Sequence, residues 1–554
     1  MSYVVKDPAL VQRYRDLGLW TDEKIGWLLE SAAGRWPDRE FLCIDGQRLT
    51  YVELNRKVLS AAAWLHGLGV TTGDRIVMQS GNCLPLLIVQ FAAWRIGAVS
   101  VPIVPIYRVH EMRAIIEETK PVVVAAARVA GSRFPYQEID QVLSSSSVKP
   151  KVKLLFGEGD AVVGWEALPP VSDVVSADLP DPGPTEECCT ILFTSGTTSA
   201  PKGVLMSSRA LMSGIQNWRM NLDLYSDYVA CSGAPLTHIG ALYTALLVPL
   251  ACGARTVLMP NWNPDVAIKV IEEEKANYMA GATVFLHDLV ERYERGESPS
   301  HRLSYFCSGG SPTPPSLVHR AEAMGIKASR SYGMTETCGT ISQASRYLPL
   351  ERRATTEGRL TYGSEVQIVG DDHNVLANGA VGHIRIRSPQ LMNGYTDDAI
   401  NRAQFRDGWF YPDDLGSLSD DGYLTMAGRT KDIINRGGEK FSSQDIEAAL
   451  VAHAPILGAA VIGVPHPRLG EAVCACLTLR ENAAWNGPEE ILAHLEAFGL
   501  ARPKFPVEWL VVDEFPRTAS GKVQKNVLFD MVAERRSAAE ADETEKKFRY
   551  FSCL

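Results

Sequence analysis

The chain has 554 residues, 46% hydrophobic and 22% charged, a globular composition too long for one ordinary core, so two or more domains are expected. Its 55 Lys and Arg against 65 Asp and Glu leave a net charge of −10, and no basic stripe stands ready to neutralise phosphates, which argues against a nucleic-acid binder. Eleven scattered cysteines form no C-x-x-C pair and read as reduced core residues, not as disulfides or metal ligands.

The opening segment, Met1 to Asp7, has no apolar signal core, and a cytoplasmic protein is expected. Short apolar runs then alternate with helix-like stretches: Arg75–Met78, the apolar helix candidate Cys83–Trp94, Ala98–Ile103 and Pro121–Ala125. Such runs with helices between them indicate parallel strands covered on both faces. The apolar run Cys189–Phe193 leads into Thr194-Ser195-Gly196-Thr197-Thr198-Ser199-Ala200-Pro201-Lys202-Gly203. A strand feeding a loop dense in Gly, Ser and Thr offers N–H groups and hydroxyls, and a lysine adds a point charge, which suits a polyphosphate. Lys202 is followed by Gly203 and not by Ser or Thr, so this is no Walker P-loop. The stretch from Tyr228 to Ala254 lacks Asp, Glu, Lys and Arg, but Pro235, His238 and Pro249 break it, and it reads as buried structure with no membrane span.

Strand ends are expected at Phe193, Cys231, Ala280, Cys307 and near Tyr332, and ligands collect at such carboxyl ends. Polar groups do gather there, in Cys307-Ser308-Gly309-Gly310-Ser311-Pro312 and in Tyr332-Gly333-Met334-Thr335-Glu336. Beyond Gly363 the runs Glu365–Val369 and His383–Arg387 alternate about a turn at Asp371–Asn374, so a small β-rich subdomain is expected. Phe410-Tyr411-Pro412-Asp413-Asp414-Leu415-Gly416 supplies an acidic pair, and Pro516-Arg517-Thr518-Ala519-Ser520-Gly521-Lys522 places a lysine in a late Gly/Ser loop. The charged residues 534–550 read as a frayed helix or tail.

Singly, each segment passes for an ordinary turn or loop. In this order, together with Asp407–Phe410, Gly422-Tyr423-Leu424, Gly428-Arg429-Thr430-Lys431-Asp432 and Gly437-Gly438-Glu439, they resemble the adenylate-forming superfamily of acyl-CoA synthetases, luciferases and peptide-synthetase adenylation domains, over roughly residues 20–530. The resemblance implies an α/β fold: a large N-terminal domain (1–430) of parallel-rich sheets covered by helices with a β-rich subdomain, a small mobile α/β C-terminal domain (431–533), and a charged tail (534–554). It implies an AMP-forming acid–thiol ligase. Such an enzyme uses ATP and Mg2+ to convert a carboxylic acid to an acyl-AMP, then passes the acyl group to coenzyme A.

By the same resemblance, Thr194, Ser195, Gly196, Thr197, Thr198 and Lys202 hold the β- and γ-phosphates, Thr335 reaches the α-phosphate, and Glu336 is the Mg2+ ligand. Lys522 bridges the α-phosphate and the acid carboxylate. Asp414 receives the ribose hydroxyls with Arg429 assisting, and the adenine lies against Gly309, Gly310, Ser311, Tyr332 and Gly333. Lys431 is the hinge, and Gly437 and Gly438 line a pantetheine channel.

Ser199 stands where most relatives have glycine, and Pro412-Asp413 replaces Thr-Gly, so Asp414 is assigned by register from Leu415-Gly416. His238, in Pro235-Leu236-Thr237-His238-Ile239-Gly240, matches the segment of an aromatic gate, and no aspartate between Asp227 and Asp265 is there to pair with a substrate ammonium. The expected acyl lining is Ile239, Met279, Gly281, Met334 and Cys338, which suits a medium-chain, alicyclic or aryl acid. Rival readings are transfer to a carrier-protein thiol, a silent binding protein and a P-loop ATPase; the assembly is left open between monomer and homodimer.

Overall fold

A computed structural model describes residues 3–541 except 5, 45, 173–177, 195–200, 223, 298–299, 302, 430–431, 437–438, 467–469, 482, 499 and 519–520. Two large sheets and a small one make up its β-structure. In the seven-stranded sheet, β1 (Cys188–Thr194) runs parallel to Val99–Ile103 on one side. On its other side β1 forms an antiparallel hairpin with β2 (Lys202–Ser207). The helix α1 (Ser208–Leu222) follows directly.

The fifteen-stranded sheet contains β3 (Val229–Ser232), Arg255–Leu258, β4 (Tyr278–Gly281), β5 (Tyr305–Ser308) and β6 (Lys327–Met334), all joined by parallel pairing, with α2 (Thr283–Glu294) leaving the end of β4. Strand β6 is divided in use. Lys327–Arg330 pair parallel with β5, and Ser331–Met334 pair antiparallel with β7 (Gly339–Gln343). The β-rich region is therefore continuous with the parallel sheet through β6, and not a separate sheet. Its alternating runs pair as expected, Glu365–Val369 antiparallel to Gly382–Arg387.

One large core holds side chains from both sheets together with the helices Tyr51–Gly67, Leu84–Arg95, α1 and the helical rod 239–252, so these helices are sandwiched between the sheets. A helix packed on every side must be apolar all round, and Leu84–Arg95 is buried along its whole length apart from Pro85. Separate cores cover the outer faces, with Pro264–Glu273 and α2 on one sheet and Val109–Thr119 and Pro135–Ser144 on the other. This is the expected α/β fold. The stretch 228–254 is split: it supplies strand β3 and then a helix, a π-helix (Leu242–Leu247) and a helix.

Three further elements complete the site. These are β8 (Gly394–Tyr395) beside β2, and the antiparallel pair β9 (Asp414–Leu418) and β10 (Tyr423–Arg429). The small five-stranded sheet spans Ile433 to Val511, and two cores lie on its faces. The closing helix α3 (Lys525–Ala541) continues past residue 533, where Arg536 pairs with Glu508 and donates to the Pro465 carbonyl. Among the described residues, no helix is long and apolar enough to cross a membrane.

Candidate active site

The carboxyl ends of β4, β5 and β6 lie side by side because these strands are parallel, and the Gly/Ser and Thr-Glu segments leave from them. The Gly309 amide donates to the Gly281 carbonyl across two strand ends (3.0 Å). Gly310 holds a left-handed φ of +79°, which glycine adopts without strain, and a Cβ there would lie 3.7 Å from Lys522 Cε. Ser311 Oγ is tied to Thr283 Oγ1 (3.1 Å). Gly333 is fixed by packing: a Cβ would run into the Gly339 carbonyl of the paired strand.

On the opposite wall, the β9–β10 register sets Asp414 against Arg429. Tyr332 Oη donates to Asp414 Oδ2 (2.7 Å) and Arg429 Nε to Oδ1 (3.1 Å). Burial pushes the Asp414 carboxyl above its usual range against the pull of Arg429 and the Tyr332 hydroxyl. Both oxygens thus have a partner, yet a carboxylate keeps about four lone-pair positions, so further donors still find acceptors there. The companion Asp413 sits at φ +61° and receives a long bond from Gln404 (3.4 Å).

At the base of the Gly/Ser/Thr-rich segment, Thr194 pairs with Lys202 in the β1–β2 hairpin. Ser195, Gly196, Thr197 and Thr198, with Ser199, lie outside the described residues, as do Lys431, Gly437 and Gly438. Tyr395 is a residue the motif reading passed over. Its ring centroid lies 6.0 Å from Lys202 Nζ, and its hydroxyl donates to Glu336 Oε1 (2.9 Å) and lies 2.7 Å from Gln404 Oε1. The backbone of the same segment holds Glu336, as the Met392 amide donates to its carbonyl (2.9 Å). Thr335 opens that turn and accepts from the Cys338 amide through its carbonyl.

Lys522 enters this cleft from the small sheet's side of the molecule. Its loop closes on itself, Thr518 N donating to the Lys522 carbonyl and Lys522 N to Thr518 Oγ1. Gly521 (φ +82°) passes so close to α2 that a Cβ would stand 2.9 Å from Val284 Cγ1. Arg480 reinforces the approach through an ion pair with Glu291 of α2 (2.6 Å). Burial and the neighbouring Arg429 push the Lys522 ammonium down to about 8, with Asp414 and Glu336 opposing. One lysine therefore stands within electrostatic reach of Asp414 and Glu336 and beside Gly310.

His238 caps the helical rod, its carbonyl accepting from the Leu242 amide. Burial, and then the Lys522 charge, push its imidazole down to about 4, so it is neutral at physiological pH. Of the expected acyl lining, Ile239 and Cys338 lie in the core between the sheets, and Met334 packs against it. Met279 does not join them. It belongs to the core on the outer face of the sheet, because successive residues of β4 point to opposite sides, and Tyr278 and Ala280 face inward instead. Gly281, at the strand end, is covered by the Phe285 ring. Two aromatic residues not anticipated, Trp218 of α1 and Tyr243 of the π-helix, close over Gly339 on the inner side.

A family model described as AMP-binding enzyme matches residues 29–396, and one for the AMP-binding enzyme C-terminal domain matches residues 445–522. The chain belongs to the AMP-binding enzyme family. Membership in the adenylate-forming superfamily, and with it the acid–thiol ligase class, is borne out.

The chain is 30% identical to the medium-chain fatty-acid–CoA ligase of Escherichia coli (strain K12) over 539 residues, 96% of this chain and 94% of that protein. It is also 30% identical to the indoleacetate–CoA ligase of Aromatoleum aromaticum, covering 94% and 99% of the two chains. Among solved structures, the anthranilate CoA ligase AuaEII in complex with anthranoyl-AMP superposes with a TM-score of 0.84 at 21% identity, over 94% and 98% of the chains. ATP-bound RpMatB-BxBclM chimera B3 gives 0.79 at 25%, over 92% and 99%.

Proposed function

We propose that the enzyme is an acyl-CoA synthetase for a medium-chain, alicyclic or aryl carboxylic acid. The observation that carries this reading is the convergence of Lys522, Asp414 and Glu336, which come from three distant parts of the chain, at the strand ends. The relatives named above support the acid–CoA chemistry.

In the first step a carboxylate oxygen attacks the α-phosphorus of ATP, the bond to the bridging oxygen breaks, and pyrophosphate leaves. Two anions must approach, so positive charge has to be placed where they meet. Lys522 supplies it at the α-phosphate and acid carboxylate, while Lys202 and the loop 194–202 hold the departing phosphates. Asp414, oriented by Tyr332 and Arg429, takes the ribose. Glu336, oriented by Tyr395, is the carboxylate that would hold Mg2+. No cluster of three His, Cys, Asp or Glu occurs among the described residues, which fits a hard cation bound mainly by phosphate oxygens and one protein carboxylate. When bound, that ion neutralises phosphate charge.

In the second step a thiolate sulfur attacks the acyl carbonyl and AMP leaves. The domain boundary at 430/431 and the hinge at Lys431 belong to this proposal, as does a swing of residues 431–533 that withdraws Lys522 and brings Gly437 and Gly438 to the carbonyl. The test is pyrophosphate release and thioester formation with a panel of acids and free coenzyme A. The reading stands if both products appear in equal amounts with at least one acid. Pyrophosphate release without a coenzyme A thioester would assign the acceptor thiol to a carrier protein.

A further inference from the structure

The helix α2 meets the unit built on the small five-stranded sheet along a single stripe. Its residues Leu286, Leu289, Val290 and Tyr293 turn inward, to the core on the outer face of the large sheet. Val284, Asp288, Glu291 and Arg295 follow the i, i+4, i+7, i+11 spacing of one helical face, and each meets a residue from beyond position 479. A Cβ on Gly521 would stand 2.9 Å from Val284 Cγ1. Arg517 is within electrostatic reach of Asp288, whose Oδ2 accepts from the Trp262 indole at 2.7 Å. Arg480 pairs with Glu291 (2.6 Å), and Glu481 lies 3.9 Å from Arg295.

The two ends of this stripe do different things. At the first end Arg517 donates to the Gly521 carbonyl (2.7 Å), so the residue facing Asp288 also closes the loop that presents Lys522. Glu291 stands two turns further along, about 10 Å from Val284, where an ion pair bears on the orientation of the whole unit. Arg480 is braced before it reaches Glu291: its Nε donates to the Ala454 carbonyl (2.9 Å) and its backbone amide to the Pro455 carbonyl (3.0 Å). The pair can nonetheless part without stranding a charge. Glu291 keeps His287 (3.7 Å) and Arg295 (3.8 Å) of its own helix as neighbours. Arg480 is 33% and Glu291 18% exposed, so the pair changes an equilibrium by a few-fold and not by orders of magnitude.

We infer that Arg480 and Glu291 are positioning residues for the first step: their ion pair holds the small-sheet unit on α2 with Lys522 in the cleft, and so sets how the enzyme divides its time between adenylation and thioester formation. The inference rests on the proposed function, in which Lys522 is withdrawn for the second step. Gly521 and Arg480 ride on the same unit, so a swing that removes one removes the other. The ion pair therefore stabilises only one of the two orientations, which is the condition for shifting a population.

The test reads the two half-reactions separately at saturating substrates: ATP–pyrophosphate exchange with an acid, and thioester formation from the corresponding supplied acyl-AMP with free coenzyme A. The ratio of the second to the first is the readout. It moves whichever orientation predominates, because loosening the pair slows exchange, speeds thioester formation, or does both. Arg480→Gln and Glu291→Gln are each expected to raise the ratio about threefold to fivefold. The double variant should go no further than either single one, since both remove the same interaction. A ratio unmoved in both single variants overturns the inference, including the case in which both half-reactions fall equally, the mark of general structural damage. Additive effects in the double variant overturn it as well. A wild-type enzyme that gives no exchange, or no coenzyme A thioester, with any acid overturns the proposed function and this inference with it.

Discussion

The proposed nucleotide and acyl halves of the cleft share the β6–β7 turn and are built on opposite principles. The nucleotide half consists of charged and hydroxyl groups that hold one another: Tyr332 and Arg429 on Asp414, Tyr395 on Glu336, Thr283 on Ser311. The proposed acyl half is built from residues that look like core, Ile239, Tyr243, Met334 and Cys338. A site whose ligand is invariant can satisfy its own groups in advance.

The largest effect that sharpens this contrast is expected from Lys522→Ala. Acyl-AMP formation, followed by pyrophosphate exchange, should fall by about 10³-fold, as when a positioned electrostatic donor is removed, while thioester synthesis from supplied acyl-AMP is spared. Equal loss of both steps would sink the assignment. The same lysine sets a pH limb. Because its ammonium is the working form and burial has lowered it to about 8, kcat/KM for ATP should decline about tenfold per pH unit above that value, and a flat profile to pH 9.5 would contradict this.

A smaller loss is expected from Tyr332→Phe, which leaves Asp414 with one partner fewer. The KM for ATP should rise about tenfold, the worth of about one hydrogen bond to a charged group, with the order of acid preference unchanged. A reordered acid profile would show that the halves are not separable. The smallest effect belongs to His238→Ala: a few-fold redistribution among acids with KM for ATP unmoved. An unaltered profile would remove His238 from the acyl wall.

The contrast also decides what could be read from sequence. The groups proposed to hold the nucleotide are contiguous short runs, Thr194–Lys202, Tyr332–Glu336 and Arg517–Lys522, because polyphosphate, ribose and metal would each require fixed residue types near one strand end. Tyr395 escaped notice because a Gly-Tyr pair is an ordinary strand edge until folding sets it between Lys202 and Glu336. Met279 was misplaced for a different reason. An apolar four-residue strand buried on both faces does not announce which face each residue takes. That Trp218 and Tyr243 close over Gly339 was invisible in the sequence, since a large aromatic in a buried helix has the same signature as any core packing.

Strand β6 has a consequence of its own. Its first half belongs to a parallel array and its second half to an antiparallel one, and the register shifts between Tyr332 and Gly333 where one usage gives way to the other. That strand is a mechanical splice between two differently built arrays, and the proposed nucleotide site lies on the splice. Binding there should slow amide exchange in Tyr305–Ser308 and Gly358–Leu360 together, two strands that share no hydrogen bond. A nucleotide bound there would then serve as a fastener for both arrays as well as a reactant.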